Sequence, residues 1–357
     1  MTGLRMLYVG YLREGETSLQ RLKAFQRLGF DVLPLDVMKR PEASAWRRLG
    51  FRLANRLFRL GLPVPLPDVA GVNRALRELF HDAGPFEWVW MDKPLLIRPE
   101  TIRTLRSEHP TARWAAFSPD DMGQRHNQSQ SFLDILPLLD LFVTTKSFLV
   151  AELKALGDPC VLFMDNGFDP ETHRPVPVTP EIREKFGGPV GFIGSYEKER
   201  ASYLMYLATQ GIPVRVWGGI SWRRCPWRHP NLRLEYRELV GPAYAPAICS
   251  FDINLCFLRK MNRDRQTTRS VEIPACGAFM LAERTEEHRR LFREDEEAVF
   301  FGSREELLEK CRYYLDHPEE RQAIAEKGLA RCRQGGYDYP SRLREVLSRF
   351  EELRKKR

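Results

Sequence analysis

From the N-terminus to about Pro170, short apolar runs alternate with longer segments whose apolar residues recur with a period near 3.6. That is the pattern of a parallel sheet wrapped by helices. It predicts strands over 5–9, 31–35, 87–91, 113–117, 140–144 and 160–164, with helices between them such as Ser18 to Leu28 and Pro99 to Glu108. The second helix opens on a proline, which suits a first turn because its missing N–H would have no partner there. The stretch Glu171 to Pro189 holds Pro175, Pro177, Pro180, Pro189 and the pair Gly187-Gly188, and so marks the end of a first Rossmann-like unit. Alternation then restarts with a strand at Val190 to Gly194, a helix from Glu199 to Gln210 and a strand from Val214 to Trp217. Further on come a strand at Ile253 to Leu255, a short helix at 269–276, a strand at 278–282 and a helical run from Arg304 through Lys327. The tail from Pro340 to Arg357 carries Leu343, Val346, Leu347, Phe350 and Leu353 at helical spacing, predicting a final amphipathic helix.

The length of 357 residues favours two cores over one. The expected boundaries are 1–175 for an N-terminal domain, 186–335 for a C-terminal domain and 336–357 for the last helix. Apolar residues make up 43% and charged ones 29%, and no apolar run reaches bilayer length, which excludes an integral membrane protein of the helical kind. Met1 leads into the strand at Met6 to Val9 without a leader-like segment, so a cytoplasmic location is expected. Seven scattered cysteines with no C-x-x-C pair indicate reduced, buried thiols rather than a zinc site. The net charge of +8 favours an anionic partner. Because 48 acidic residues are mixed among the basic ones, nucleic acid is not the expected one.

Candidate chemistry concentrates in Arg269-Ser270-Val271-Glu272-Ile273-Pro274-Ala275-Cys276-Gly277. A lone carboxylate on an apolar helix is costly to bury without a partner, and a nucleotide ribose is such a partner. The loop Gly194-Ser195-Tyr196-Glu197-Lys198-Glu199-Arg200 leaves a strand and enters a helix, where free backbone N–H groups favour a diphosphate. Gly10-Tyr11 follow the opening strand, Lys93 ends another, and Asp120-Asp121 follow a third. A carboxylate there can act as a base or orient a hydroxyl. Each residue also has a plainer reading: Glu272 as a helix N-terminal acid, Gly194 as a turn, Arg200 and Arg269 as ion-pair partners, Asp120-Asp121 as a turn or cap, Lys93 as an exposed loop residue. Over 46–60, Trp46, Leu49, Leu53, Leu57 and Leu60 form a stripe, with Arg47, Arg48, Arg52, Arg56 and Arg59 off it. Such a helix either makes peripheral contact with an anionic membrane or an acidic or lipid-linked acceptor, or packs its stripe on the first domain.

Taken in order, Val190 to Ser195 with Arg200, Val214 to Gly218, Arg269 to Gly277, and Tyr314 to Arg321 with Gly328 resemble a bacterial GT-B glycosyltransferase. The resemblance is to the spore-coat CgeB-type group with a group-1-like C-terminal domain. Trp90 to Lys93, Ser118 to Asp121 and Asp165 to Pro170 extend it through the N-terminal half. It implies an α/β GT-B fold of two Rossmann-like domains facing a central cleft, with the last helix returning toward the first. It further implies sugar transfer from a nucleoside-diphosphate sugar to a glycan, lipid-linked or small-molecule acceptor, retaining, and with neither metal nor cofactor. Glu272 matches the family glutamate on the donor ribose, and Arg200 and Arg269 would neutralise the diphosphate. Gly194 and Ser195 would cradle it, and Trp217-Gly218 would border the base. The acid expected eight positions before Glu272 is Asp264, one methylene shorter than the usual Glu. Asp120, Asp121 and Asp264 are the catalytic candidates, and Gly10, Tyr11 and Lys93 are the acceptor-side ones. The other readings are a catalytically silent GT-B-like binding protein and a nucleotide-sugar epimerase. The reaction is expected in the cytoplasm, with peripheral contact at the inner membrane surface.

Overall fold

The structure is a computed structural model describing residues 3–38, 45–62, 64–157 and 160–356. Met1 and Arg357, where the sequence reading begins and ends, lie outside them. The chain divides into two compact units, one running up to Asp165 and resuming at Tyr339, the other spanning Asn166–Asp338.

The first unit contains β1 (Arg5–Gly10), α1 (Thr17–Arg27), β2 (Asp31–Asp36), α2 (Ala45–Arg59), α3 (Val72–Ala83), β3 (Trp88–Asp92), α4 (Pro99–Glu108), β4 (Arg113–Ser118), α5 (Gln130–Ile135), β5 (Leu141–Thr144), α6 (Leu149–Gly157) and β6 (Cys160–Phe163). Its sheet runs β2-β1-β3-β4-β5-β6, every pairing parallel. Strands such as β3 and β4 are buried along almost their whole length, because helices cover both faces of a parallel sheet.

The second unit contains α7 (Pro180–Phe186), β7 (Gly188–Ile193), α8 (Lys198–Thr209), β8 (Val214–Trp217), β9 (Leu232–Leu234), α9 (Tyr244–Cys249), β10 (Phe251–Cys256), α10 (Arg269–Ala275), β11 (Met280–Glu283), α11 (Glu286–Leu291), β12 (Val299–Phe301), α12 (Arg304–Asp316) and α13 (Pro318–Gln334). Its parallel sheet runs β12-β11-β10-β7-β8-β9. The chain then returns as α14 (Tyr339–Lys355), which buries Leu343, Val346, Leu347 and Phe350 in the first unit.

Each sheet reverses its order of strand addition once, between β1 and β3 in the first unit and between β7 and β10 in the second. At such a switch point the loops leaving neighbouring strands diverge and open a crevice at their carboxyl ends. The single helical run expected over 304–327 is in fact two helices. Pro318 begins the second, and His317 before it adopts φ −121° and ψ 69°, since a residue preceding proline is driven out of the helical region.

The switch point of the first unit rests on a buried ion pair. Arg21 donates from Nη2 to Asp92 Oδ2 at 2.5 Å and from Nε at 3.1 Å, while its guanidinium lies over the Phe117 ring at 4.1 Å. Trp90 Nε1 donates to the other Asp92 oxygen at 3.0 Å. Removing one partner of a fully desolvated pair leaves an uncompensated charge, so Arg21→Ala should destabilise this unit by about 3–5 kcal/mol. Replacing both ends with apolar residues, as in Arg21→Met with Asp92→Leu, should recover much of that loss in urea unfolding. Equal losses in the single and double variants would refute the account.

Candidate functional site

In the second unit the residues singled out by sequence gather at the carboxyl ends of β7 and β10. Gly194 follows β7, donates its N–H to Trp217 O at 2.8 Å and accepts from Trp222 Nε1 at 2.7 Å. A Cβ at Gly218 would lie 1.9 Å from the Gly194 carbonyl oxygen, so this crossing of two loops requires a glycine. Ser195 is exposed, and Trp217 is buried with its indole N–H donated to Phe186 O at 3.1 Å. The chain then enters α8, whose first turn has backbone N–H groups without helical partners.

Arg200 lies in that first turn and is 5% exposed. Its Nη1 donates to Ser195 O at 3.3 Å, its Nη2 stands 3.9 Å from Glu197 Oε1, and its Nε has no partner among the described residues. Burial lowers its pKa; Glu197 opposes that effect, while the positive charges of Arg269 and Arg259 reinforce it. Arg269, at the start of α10, likewise has an unpartnered Nε. Burial works against its charge, but Tyr244, Glu272, Cys256 and Asp264 more than offset this and hold its pKa raised. Two guanidinium groups that feel each other, each with a buried N–H unused among the described residues, are chemically suited to a multiply charged anion.

Glu272 sits one turn further along α10 and is 5% exposed. Tyr244 at the start of α9 donates its hydroxyl to Glu272 Oε2 at 2.6 Å. Burial first, and then the Glu272 charge, push the Tyr244 pKa well up, so the hydroxyl stays a donor. His173 accepts the Asp169 backbone N–H at its Nδ1, at 3.0 Å, which places its proton on Nε2. That Nε2 faces Glu272 Oε1 at 3.7 Å. A carboxylate has about four acceptor positions, and a single hydrogen bond from the described residues leaves Glu272 with capacity to accept from two vicinal hydroxyls. Sequence reasoning passed over Tyr244 and assigned no role to any histidine; Tyr244 alone carries no motif, and its relation to Glu272 exists only after folding.

Asp264 closes its own loop, accepting from Arg259 N at 3.3 Å and Asn262 Nδ2 at 3.0 Å, with Arg263 in a left-handed conformation at φ 45°. In the first unit Lys93 and Asp120 form an ion pair. Asp121 is buried and accepts the Gly123 N–H at 3.1 Å. Gly10 packs against Ser18, whose Oγ would lie 2.2 Å from an added Cβ, and Tyr11 is half-buried. Among the described residues no cluster of His, Cys, Asp and Glu side chains is arranged to hold a metal ion.

Residues 200–348 match the model of a family described as glycosyl transferase-like. No curated protein sequence matches the chain. Among solved structures, sucrose-phosphate synthase from Thermosynechococcus elongatus superposes with a TM-score of 0.66 at 10% identity, covering 99% of this chain and 100% of that one. Trehalose 6-phosphate synthase from Burkholderia multivorans does so with a TM-score of 0.65 at 11% identity, with both chains fully covered. HepE from Anabaena, in complex with UDP-glucose, gives 0.60 at 13% identity over 98% of this chain and 100% of that one. The stretch 200–348 is thus glycosyl transferase-like, and the chain has the GT-B fold of two Rossmann-like units.

A buried histidine underpins the start of α10. Ser270 Oγ and His288 Nε2 share a hydrogen bond at 2.7 Å, and His288 Nδ1 contacts Glu283 O at 2.6 Å. Burial lowers the His288 pKa to about 4, against a backbone hydrogen bond that raises it. Between pH of about 6.5 and about 4 the unfolded chain takes up a proton that the folded chain refuses, so stability falls as pH drops through that window, by at most about 1.4 kcal/mol per pH unit. Thermal melting of the second unit should show this fall, and His288→Gln should flatten it. An unchanged pH dependence in the variant would contradict the assignment.

Proposed function

We propose that the protein transfers a sugar from a nucleoside-diphosphate sugar to a glycan, lipid-linked or small-molecule acceptor. The observation that carries the reading is the pairing, at one switch point, of an underused buried carboxylate with two guanidiniums whose Nε atoms have no partner among the described residues. Glu272 receives the ribose hydroxyls, while Arg200 and Arg269 receive the diphosphate and stabilise the charge that builds on it as the glycosidic bond breaks. Gly194 and Ser195 border the phosphates, and Trp217-Gly218 border the base. Gly10, Tyr11 and Lys93 serve the acceptor side, with Asp120, Asp121 and Asp264 as the carboxylates that orient or deprotonate a hydroxyl. Transfer is retaining and needs no metal or cofactor. Membership of the CgeB-type group, a cytoplasmic location and peripheral contact at the inner membrane surface belong to the same proposal.

One observation favours a second reading, a catalytically silent nucleotide-binding protein: Asp264 spends its carboxylate on its own loop. Turnover separates the two, since a binding module holds the donor and neither transfers nor hydrolyses its sugar.

UDP is the first nucleotide to test, because HepE is solved with it. A hydrogen bond to a charged group is worth about 1.5–3 kcal/mol, so Glu272→Gln should weaken binding roughly tenfold to a hundredfold by titration calorimetry. A 2′,3′-dideoxy nucleotide should lose a similar factor on the unaltered protein, and little more on the variant. If neither uridine, guanosine, adenosine nor thymidine diphosphate binds the unaltered protein, the reading fails.

A further inference from the structure

The helix α2 presents to solvent the face that a soluble protein ordinarily buries. Trp46 is 82% exposed, Leu49 55%, Leu53 60% and Leu60 72%. At about 100° per residue these four, with Leu57, fall in one strip along the helix. Arg48, Arg52, Arg56 and Arg59 fall in the strip beside it. The opposite side carries Phe51, Ala54 and Phe58, of which Phe58 is buried and the other two half-buried. The helix is thus held to the first unit by a different face. From 45 to 60 the chain has five arginines and no acid. Scattered exposed apolar residues are ordinary, whereas a continuous apolar stripe marks an interaction surface.

We infer that α2 docks the protein flat on a bilayer rich in anionic lipid. Tryptophan and leucine enter the boundary between headgroups and acyl chains, and the flanking arginines meet lipid phosphates. Charge decides the occupant. A second copy placed face to face would oppose five arginines with five, whereas an anionic surface complements them. The stripe is a convex ridge on a single helix, which suits a fluid surface that moulds around it. The inference rests on the peripheral placement proposed above and not on the donor assignment. It gives that placement its element, its orientation and its lipid charge. Among the described residues no helix is long and apolar enough to cross a membrane, so attachment through α2 lies on the surface.

The test is co-sedimentation of the full chain with vesicles of phosphatidylcholine alone and of phosphatidylcholine mixed with phosphatidylglycerol, at low and high salt. The unaltered protein should bind the mixed vesicles, bind neutral ones far less, and be released by salt. Each arginine near an anionic surface is worth about fivefold in binding, so Arg48→Glu with Arg52→Glu and Arg56→Glu should weaken it by about a hundredfold or more. Leu49→Asp with Leu53→Asp should abolish it even at low salt. Both variants alter exposed side chains and should keep the parent melting temperature and UDP affinity. Absence of vesicle binding, binding indifferent to lipid charge, or binding that survives both variants would overturn the inference. So would a solution dimer that the leucine variant dissociates, since the stripe would then belong to a second copy. The lipid and salt arms need no variant, and intact UDP binding without vesicle binding would sink this inference while leaving the donor reading in place.

Discussion

Arg200 and Arg269 are held near each other in a largely buried setting, and that like-charge proximity organises much of the second unit. Burying one guanidinium is costly, and a second positive charge beside it raises the cost. The chain offsets it only partly for Arg200 and more than offsets it for Arg269. Glu197 lies near Arg200 and pairs with Arg259 at 3.0 Å, Glu272 supplies negative field to Arg269, and the Ser195 carbonyl accepts one N–H of Arg200. Neither Nε finds a partner among the described residues. The geometry of α8, of the loop before it and of the start of α10 keeps both guanidiniums within reach of each other's charge. Gly194 and Gly218 allow that loop to lie tight against its neighbour, and His288 holds Ser270 next to Arg269.

The strands were legible in the sequence because both faces of a parallel sheet are covered, which makes each strand a dense apolar run. Ten stretches read as strands correspond to β1–β8, β10 and β11 within a few residues. The misses share a cause. β9 and β12 are three-residue strands at the two edges of their sheet, too short for a period to show. The split at Pro318 was overridden by an apolar pattern that continues across it. The candidate site was legible where a local motif exists, at Gly194, Arg200, Arg269 and Glu272. Its supports were not. Tyr244 meets Glu272 across 28 residues, and Arg21 meets Asp92 across 71; such pairs are products of topology and carry no spacing signal.

For α2, periodicity fixes only which residues share a face. Whether that face is covered depends on the neighbours that the fold supplies. In the first unit the helix turns Phe58 inward, so the broader apolar stripe stays outside. Composition carried a hint of this: a helix that packs its leucines on a core has no need of four arginines along one margin of the stripe, where they would be drawn toward the apolar body they border.

Glu272 shows how one short helix keeps a carboxylate and a guanidinium from cancelling each other. Had Arg269 formed a direct, short ion pair with Glu272, each would have neutralised the other and neither would serve a ligand. Instead Glu272 is satisfied by a neutral hydroxyl from Tyr244, which leaves most of its acceptor capacity open. Arg269 feels its charge only through space, which keeps the guanidinium ionised while its Nε stays unspent. The tyrosine is thus a spacer as much as a donor. It lets a carboxylate suited to hydroxyls and a cation suited to phosphates share one seven-residue helix without cancelling.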